Sequence, residues 1–160
     1  MSIDVRLARR DELERVNELR RVVNDLHVQG RPDIFRPGFS RELRQRVYDV
    51  FDSEDSDVVV AALDGRIAGF ATVQYIRRPE SAYNLARSFY HVEEFCVDPD
   101  CRRQGVATAL VEFMRQDARA KGFRRIELDA WAFNEGALAF YQRVGFRPFR
   151  WFFEMDADRE

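Results

Sequence analysis

The chain has 160 residues, of which 46% are apolar and 34% charged, with 26 Lys and Arg against 28 Asp and Glu for a net charge of −2. Such a composition describes one globular domain, 1–160, and excludes a disordered tail or a general nucleic-acid coat. No apolar run approaches the roughly 20 residues of a membrane span, and the opening MSIDVRLARRDELER lacks the apolar stretch of a secretory signal, so a cytoplasmic protein is expected.

Ile3 to Leu7 alternates and predicts a short strand. Asp11 with Glu14 reads as a helix start, and Leu13, Val16, Leu19, Val22, Val23 and Leu26 then share one helical face. Gly30, Pro32 and Pro37 break the pattern into a loop. Ser40 is placed to cap a second helix carrying Leu43, Val47, Val50 and Phe51. Asp57–Leu63 predicts a strand, and Asp64-Gly65 a hairpin turn of the kind that needs positive φ. The return strand spans Arg66 to about Ile76. After a polar loop, Phe89–Val97 is the next strand, stopped by Asp98-Pro99-Asp100. A helix follows from Gly105 to Lys121, with Gly122 as its cap. Arg124 to about Phe133 and Phe146–Met155 read as strands, with a helix over Glu135–Val144 between them. The crossover in the second half implies one parallel pair in a mixed sheet, an α/β (α+β) class.

Cys96 and Cys101 are too few and too close for a disulfide framework or a metal site; they read as buried or idle thiols, and no metal is expected. The segment CVDPDCRRQGVATAL is more informative. A strand ends, a basic turn follows, and a helix opens at a glycine. Such an opening presents unpaired N–H groups and the positive end of the helix dipole, which suit phosphate. Neither a Walker loop nor the GxGxxG fingerprint is present, so the residues alone allow an ordinary basic turn or an anion cradle.

R-R-Q-G-V-A, Arg102 to Ala107, resembles the Gln/Arg-x-x-Gly-x-Gly/Ala signature of the GNAT superfamily of N-acetyltransferases. The strand VEEFCVDP precedes it as in that superfamily, and Asn134, Tyr141 and Gly145-Phe146 follow at matching spacing. The resemblance covers Asp57 to about Pro148. It implies a mixed, mostly antiparallel sheet of six to seven strands flanked by four helices, with a splayed parallel pair holding the coenzyme. Residues 1–56 would supply the acceptor-side helices, 57–148 the acyl-CoA-binding core and 149–160 a C-terminal strand.

The implied cosubstrate is acetyl-CoA. Its pyrophosphate would lie on the backbone N–H groups of Arg103, Gln104, Gly105, Val106, Ala107 and Thr108, with Arg102 and Arg103 supplying charge. Its pantetheine arm would pair with the backbone of the Phe95-Cys96-Val97 stretch, through Phe95 and Val97, and hydrogen-bond Asn134. A backbone N–H near a bulge would polarise the acetyl carbonyl. Tyr141 would face the sulfur as general acid; without the resemblance it reads as a core aromatic. His91, Glu93 and Glu94 are the candidate bases, Glu93 foremost. On a regular strand His91, Glu93, Phe95 and Val97 share one face and Val92, Glu94 and Cys96 the other; a bulge reverses this. Phe35 and Tyr83, with Glu94, are candidates for lining the site of an amine acceptor; Phe35 equally reads as an anchor of its own loop. His27 reads as a solvated helix residue. Trp151, Phe152 and Phe153 lack alternation, which suits either a central strand or a face covered by a partner chain, as in a homodimer. A non-catalytic acyl-CoA sensor on the same fold and an Arg-rich nucleic-acid module are the rival readings. The net charge speaks against the latter.

Overall fold

A computed structural model describes residues 1–158. They form two compact units, Met1–Asp129 and a second that begins at Ala130.

The first unit is a five-stranded sheet in the order β1-β2-β3-β4-β5. The strands are β1 (Ile3–Leu7), β2 (Ser56–Leu63), β3 (Arg66–Arg78), β4 (Arg87–Val97) and β5 (Ile126–Glu127). All neighbours are antiparallel except β4 and β5. The β2–β3 hairpin turns at Asp64 (φ 49°) and Gly65 (φ 83°), the two positive φ values that the Asp-Gly pair predicts.

Helices α1 (Leu13–Gly30) and α2 (Arg41–Asp52) contribute to the core on one side of the sheet. Leu13, Val16 and Leu19 of α1 and Val47 and Val50 of α2 pack with Val58, Val60, Ile67, Phe70 and Cys96. Each fully buried aliphatic chain here contributes about 1.5–3 kcal/mol relative to exposure. Val22 and Leu26 are 38% and 40% exposed while Val23 still packs against this core, so the apolar stripe of α1 thins beyond its first half. Ser40 caps α2 as expected, its Oγ accepting from Leu43 N at 3.2 Å. The start of α1 differs from expectation. Glu12, not Asp11, accepts the Arg9 N–H at 2.8 Å, in a short 3₁₀ turn over Arg10–Glu12, because the Arg6 guanidinium holds its carboxylate in place.

Helix α3 (Val106–Ala120) lies across β1 to β4. Gly69 of β3 makes this approach possible: a Cβ there would sit 3.0 Å from Val106 Cγ1, 3.1 Å from Leu110 Cδ1 and 3.0 Å from the Cys96 carbonyl oxygen. Further along, the Tyr90 hydroxyl donates to Asp117 Oδ2 at 2.9 Å. Gly122 (φ 83°) ends α3 as expected.

The second unit contains α4 (Glu135–Arg143), capped by Asn134 Oδ1, which accepts from Ala137 N at 3.3 Å, and stopped at Gly145 (φ 112°). Two expected strands are corrected. The one at 124–133 is reduced to the two residues of β5, and 146–155 forms no strand. Among the described residues the sheet therefore has five strands, not six to seven. Trp151, Phe152 and Phe153 are 70%, 81% and 90% exposed, so they are not the central strand that their uniform apolarity suggested. A strand exists only where a neighbour supplies its ladder, and periodicity does not report the neighbour. Of the C-terminal strand expected over 149–160, positions 159 and 160 lie outside the described residues.

Candidate active site

Strand β4 is irregular at one point. Thr72 of β3 faces Glu94, and the next residue, Val73, faces Val92, so Glu93 is the extra residue of a bulge. The bulge reverses the side-chain parity beyond it. His91 and Glu93 before the reversal, and Glu94 and Cys96 after it, consequently project to the α1/α2 side. Sequence reasoning placed Glu94 and Cys96 opposite the other two on a regular strand; the bulge brings all three candidate bases together.

Each is held differently. Glu94 is bound by Arg20 of α1, whose Nε lies 3.1 Å from both carboxylate oxygens, and accepts from Thr72 Oγ1 at 3.3 Å. Arg20 is 3% exposed and is itself fixed by Asn17 Oδ1 at 2.9 Å and the Leu43 carbonyl. Glu93 accepts from Gln74 Nε2 at 3.0 Å and is ion-paired with Arg46 of α2. The same Gln74 amide meets His91, with Oε1 3.4 Å from Nδ1. Because Gln74 Nε2 is turned to Glu93, its oxygen faces the ring, so His91 bonds it with a proton on Nδ1.

Arg20, Arg46, Gln74 and Thr72 were not among the expected site residues. Arg20 had a signal: it continues the Leu13, Val16 stripe of α1, where a charge needs a buried partner. Arg46 stands three residues after Leu43 and four before Val50 on the apolar side of α2, a similar signal.

Among the described residues, strand β5 pairs with β4 at Tyr90↔Ile126 and His91↔Glu127 and goes no further along it. Beyond the bulge, Asp98 N donates to Ala68 O at 2.7 Å, toward β3. Alternation then directs the N–H and C=O groups of Phe95 and Val97 away from β3. Cys96 lies between them, buried, and burial pushes its thiol up to about 11, which suits packing and not nucleophilic attack.

The basic turn is pinned from below. Asp98 Oδ1 accepts from Asp100 N at 2.9 Å, and Oδ2 lies 2.6 Å from Arg15 Nη2 of α1. Arg15 also donates to the Ile67 carbonyl at 3.0 and 3.2 Å. These contacts hold the Asp98 carboxyl below the usual range. A 3₁₀ turn over Pro99–Cys101 follows, then Arg102 and Arg103, both exposed, with Arg103 left-handed at φ 63°. Gly105, at φ 86°, is the N-cap of α3. Ala109 N is the first to bond back into the helix, to Gly105 O at 3.0 Å. The N–H groups of Val106, Ala107 and Thr108 belong to the opening turn, where a helix supplies no acceptor. Gln104 and Ala107 are half-buried and Val106 buried, while Thr108 is exposed.

The other candidates are dispersed. Phe35 is half-buried and packs on His27 at 4.9 Å between ring centroids, which fits its reading as a loop anchor. His27 is not the solvated residue expected: burial lowers its affinity for a proton. Tyr83 is 94% exposed. In the second unit, Tyr141 is half-buried, edge-on to Phe146 and Phe140 at 5.8 Å each, and Asn134 uses its carbonyl oxygen to cap α4.

A strand, a pinned basic turn and a helix opening at a left-handed glycine thus follow one another, and comparison with known proteins gives the family. The acetyltransferase (GNAT) family profile matches residues 21–146. The chain belongs to this family. Within the GNAT family it is similar to the [ribosomal protein bS18]-alanine N-acetyltransferase of Escherichia coli, 31% identical over 83 residues, which is 52% of this chain and 49% of that enzyme. The chain thus matches about half the length of that curated relative. Among solved structures, the mutant F44R BH1408 protein from Bacillus halodurans superposes with a TM-score of 0.90 at 27% identity, over 96% of this chain and 98% of that one. The aminoglycoside acetyltransferase AAC(6')-Iy, in complex with a CoA-containing bisubstrate analog, shares the fold with a TM-score of 0.75 at 22% identity, covering 98% of this chain and 99% of that one.

Proposed function

We propose that the protein is an acetyl-CoA-dependent N-acetyltransferase that moves the acetyl group from the thioester to a primary amine by direct attack within a ternary complex. The observation that carries this reading is the β4 bulge, which gathers His91, Glu93 and Glu94 on one face while the Phe95 and Val97 backbone is directed away from β3. An acyl donor on that backbone and an amine on that face would meet at a single strand.

The residues divide the work as follows. The Arg103–Thr108 backbone, with Gln104 and Gly105 in the turn and Arg102 and Arg103 beside it, binds the pyrophosphate. Phe95, Cys96 and Val97 supply strand backbone for the pantetheine arm, and Asn134 retains its amide N–H₂ for a further hydrogen bond. Acetyl-CoA supplies an acyl group already activated as a thioester. Glu93 takes a proton from the arriving ammonium, freeing the nitrogen lone pair to attack the carbonyl carbon. As the C–S bond breaks, Tyr141 gives its phenolic proton to the departing thiolate, and the second proton that the nitrogen sheds on becoming an amide passes through water to restore the phenol. An ordinary phenol has pKa ≈ 10 and a thiol about 8.5, so with matched environments that transfer is uphill only modestly.

The test is a thiol-release assay with acetyl-CoA against a panel of amines: polyamines, amino acids, aminoglycosides and peptides with a free N-terminus. Acetyl-CoA binding with amine-dependent thiol release supports the reading. Binding without transfer to any amine, with an intact Tyr141, would instead favour an acyl-CoA sensor.

A further inference from the structure

Helix α1 holds the end of β4 at two charged points. Arg20 Nε lies 3.1 Å from both carboxylate oxygens of Glu94, at the bulge. Arg15 Nη2 lies 2.6 Å from Oδ2 of Asp98, just past the end of the strand. Glu94, Cys96 and Asp98 alternate with Phe95 and Val97, so the side chains that face α1 bracket the two residues whose backbone is directed away from β3. Cys96 is held in the same direction. It shares one buried cluster with Val16 and Leu19, which stand between the two arginines on α1.

Both arginines are anchored before they reach the strand. Arg20 is 3% exposed, and its Nη1 donates to Asn17 Oδ1 at 2.9 Å and to the Leu43 carbonyl of α2. Arg15 donates to the Ile67 carbonyl of β3 through Nε at 3.2 Å and Nη2 at 3.0 Å. The stretch between the two contacts needs such support. Phe95, Cys96 and Val97 pair with Ala71, Phe70 and Gly69 of β3. That short ladder is bounded by the bulge at one end and the turn at Asp98 at the other, and its last partner is a glycine, the residue that restrains backbone least. By itself it fixes the outward N–H and C=O groups only loosely.

We infer that Arg15 and Arg20 are positioning residues for the acyl donor, clamping the two ends of the Phe95–Val97 stretch: Arg20 sets the backbone that pairs with the pantetheine arm, and Arg15 sets the basic turn that receives the pyrophosphate. The inference rests on the acyl-transfer reading above for the identity of the ligand. The clamp acts by preorganisation. A ligand that adds as a strand needs donors and acceptors at a set spacing, and ordering them at the moment of binding would subtract from affinity. The division between the two arginines follows from their partners. Glu94 also accepts from Thr72 Oγ1 at 3.3 Å, across the bulge, so the Arg20 end governs the strand. Asp98 Oδ1 accepts from Asp100 N at 2.9 Å, so the Arg15 end governs the turn.

The experiment is amide NMR of the full-length protein, titrated with acetyl-CoA and with ADP, which carries a pyrophosphate but no pantetheine arm. In the parent, acetyl-CoA should shift the amides of Phe95 and Val97 together with those of Val106 and Ala107, and ADP the latter two alone. Arg20→Lys keeps the charge but not the fork that meets Glu94, Asn17 and Leu43 at once. It should bind acetyl-CoA about three- to tenfold more weakly, the worth of one hydrogen bond, and ADP as the parent does. Arg15→Gln should weaken both ligands by a similar factor. A residue that only stabilised the fold would move both ligands together or neither, so the split at Arg20 is the deciding readout. If Arg20→Lys does not fold, Arg20→Met combined with Glu94→Met takes its place with the same expectation, since that pair buries no lone charge. The inference is overturned if ADP leaves the Val106 and Ala107 amides of the parent unmoved, if the Arg20 variant binds acetyl-CoA as tightly as the parent or loses ADP to the same degree, or if Arg15→Gln leaves both affinities unchanged. The reading beneath it fails differently: a parent whose amides respond to neither ligand removes the acyl-transfer reading itself, whatever the variants do.

Discussion

Glu93 and Glu94 are neighbours in sequence, yet their carboxylates project from the same face of β4. Glu93 is the extra residue of a bulge, and it answers to an exposed Arg46 while Glu94 answers to a buried Arg20. The adjacent carboxylates are thereby given different counter-ions, one at the surface of α2 and one buried in α1.

Glu93→Gln should lower kcat/KM by about 10²–10⁴, the usual worth of positioned proton transfer. The loss should shrink as pH rises toward the alkylammonium pKa near 10, because free amine then needs less help. Gln keeps the shape and an acceptor oxygen, so the folding change should be small. His91→Gln is the matched control on the same face. A pH–rate profile identical to the parent in both variants would take the base away from His91 and Glu93, to Glu94, bulk water or the 31–39 or 77–88 loops. Glu94→Gln is a poor control, since it leaves Arg20 charged and buried without its carboxylate.

Tyr141→Phe should reduce kcat more than it raises the KM for acetyl-CoA, by ~10²–10⁴ with the true acceptor. Phe retains the ring that packs edge-on to Phe140 and Phe146 at 5.8 Å, so stability should change little. Steady-state kinetics together with thermal unfolding separates the two roles. Unaltered turnover would make Tyr141 a packing residue.

Acid should weaken the fold through Glu12. Its carboxylate takes two hydrogen bonds from the Arg6 guanidinium at 2.7 and 2.8 Å and one from the Arg9 N–H at 2.8 Å. The Arg6 hydrogen bonds are the main reason its pKa falls from 4.5 to about 2. The group is depressed in the folded state, so its stabilisation is complete above about 4.5 and is lost as pH falls from there through about 2. Glu12→Gln should cost about 1–2 kcal/mol at pH 7, with solvent screening of this partly exposed pair counted. Urea unfolding at pH 7 and near pH 2 should show the gap between variant and parent closing at the lower pH.

What the sequence made legible was what short-range chemistry decides. The Asp-Gly hairpin, the Ser40 cap, the glycine ends at Gly122 and Gly145 and the Arg102–Thr108 turn each follow from conformational rules acting over a few residues. The two strands expected after Arg124 depend on partners distant in the chain, which no local pattern reports. The bulge lay between these cases. Val92-Glu93-Glu94-Phe95 breaks apolar alternation, but only the register against Thr72 and Val73 shows that both glutamates share a face. Arg20 and Arg46 were overlooked for a related reason: a charge on an apolar stripe declares that a partner exists, not which one.

The structure also changes the reason for Gly105, and with it the last prediction. Lack of bulk is one account of the glycine: a coenzyme pyrophosphate would approach the backbone there. Yet a Cβ at Gly105 would meet only Ile3 Cδ1, at an ordinary 3.6 Å, so no protein atom forbids a side chain. The constraint on the apo fold is φ, at +86°, which a β-branched residue resists and which Asn tolerates better. Strain of this kind costs roughly 1–3 kcal/mol, and the turn would relieve it by rotating the N–H groups that open α3. Gly105→Val should therefore lose acetyl-CoA affinity and some stability together. Gly105→Asn separates the two causes. If conformation alone matters, Asn should keep near-parent stability and most of the affinity; if phosphate packs directly on the glycine, Asn should keep stability and lose affinity as Val does. Calorimetric titration with acetyl-CoA alongside thermal unfolding reads both. Undiminished binding by Gly105→Val would remove the cradle from the Arg102–Thr108 turn altogether.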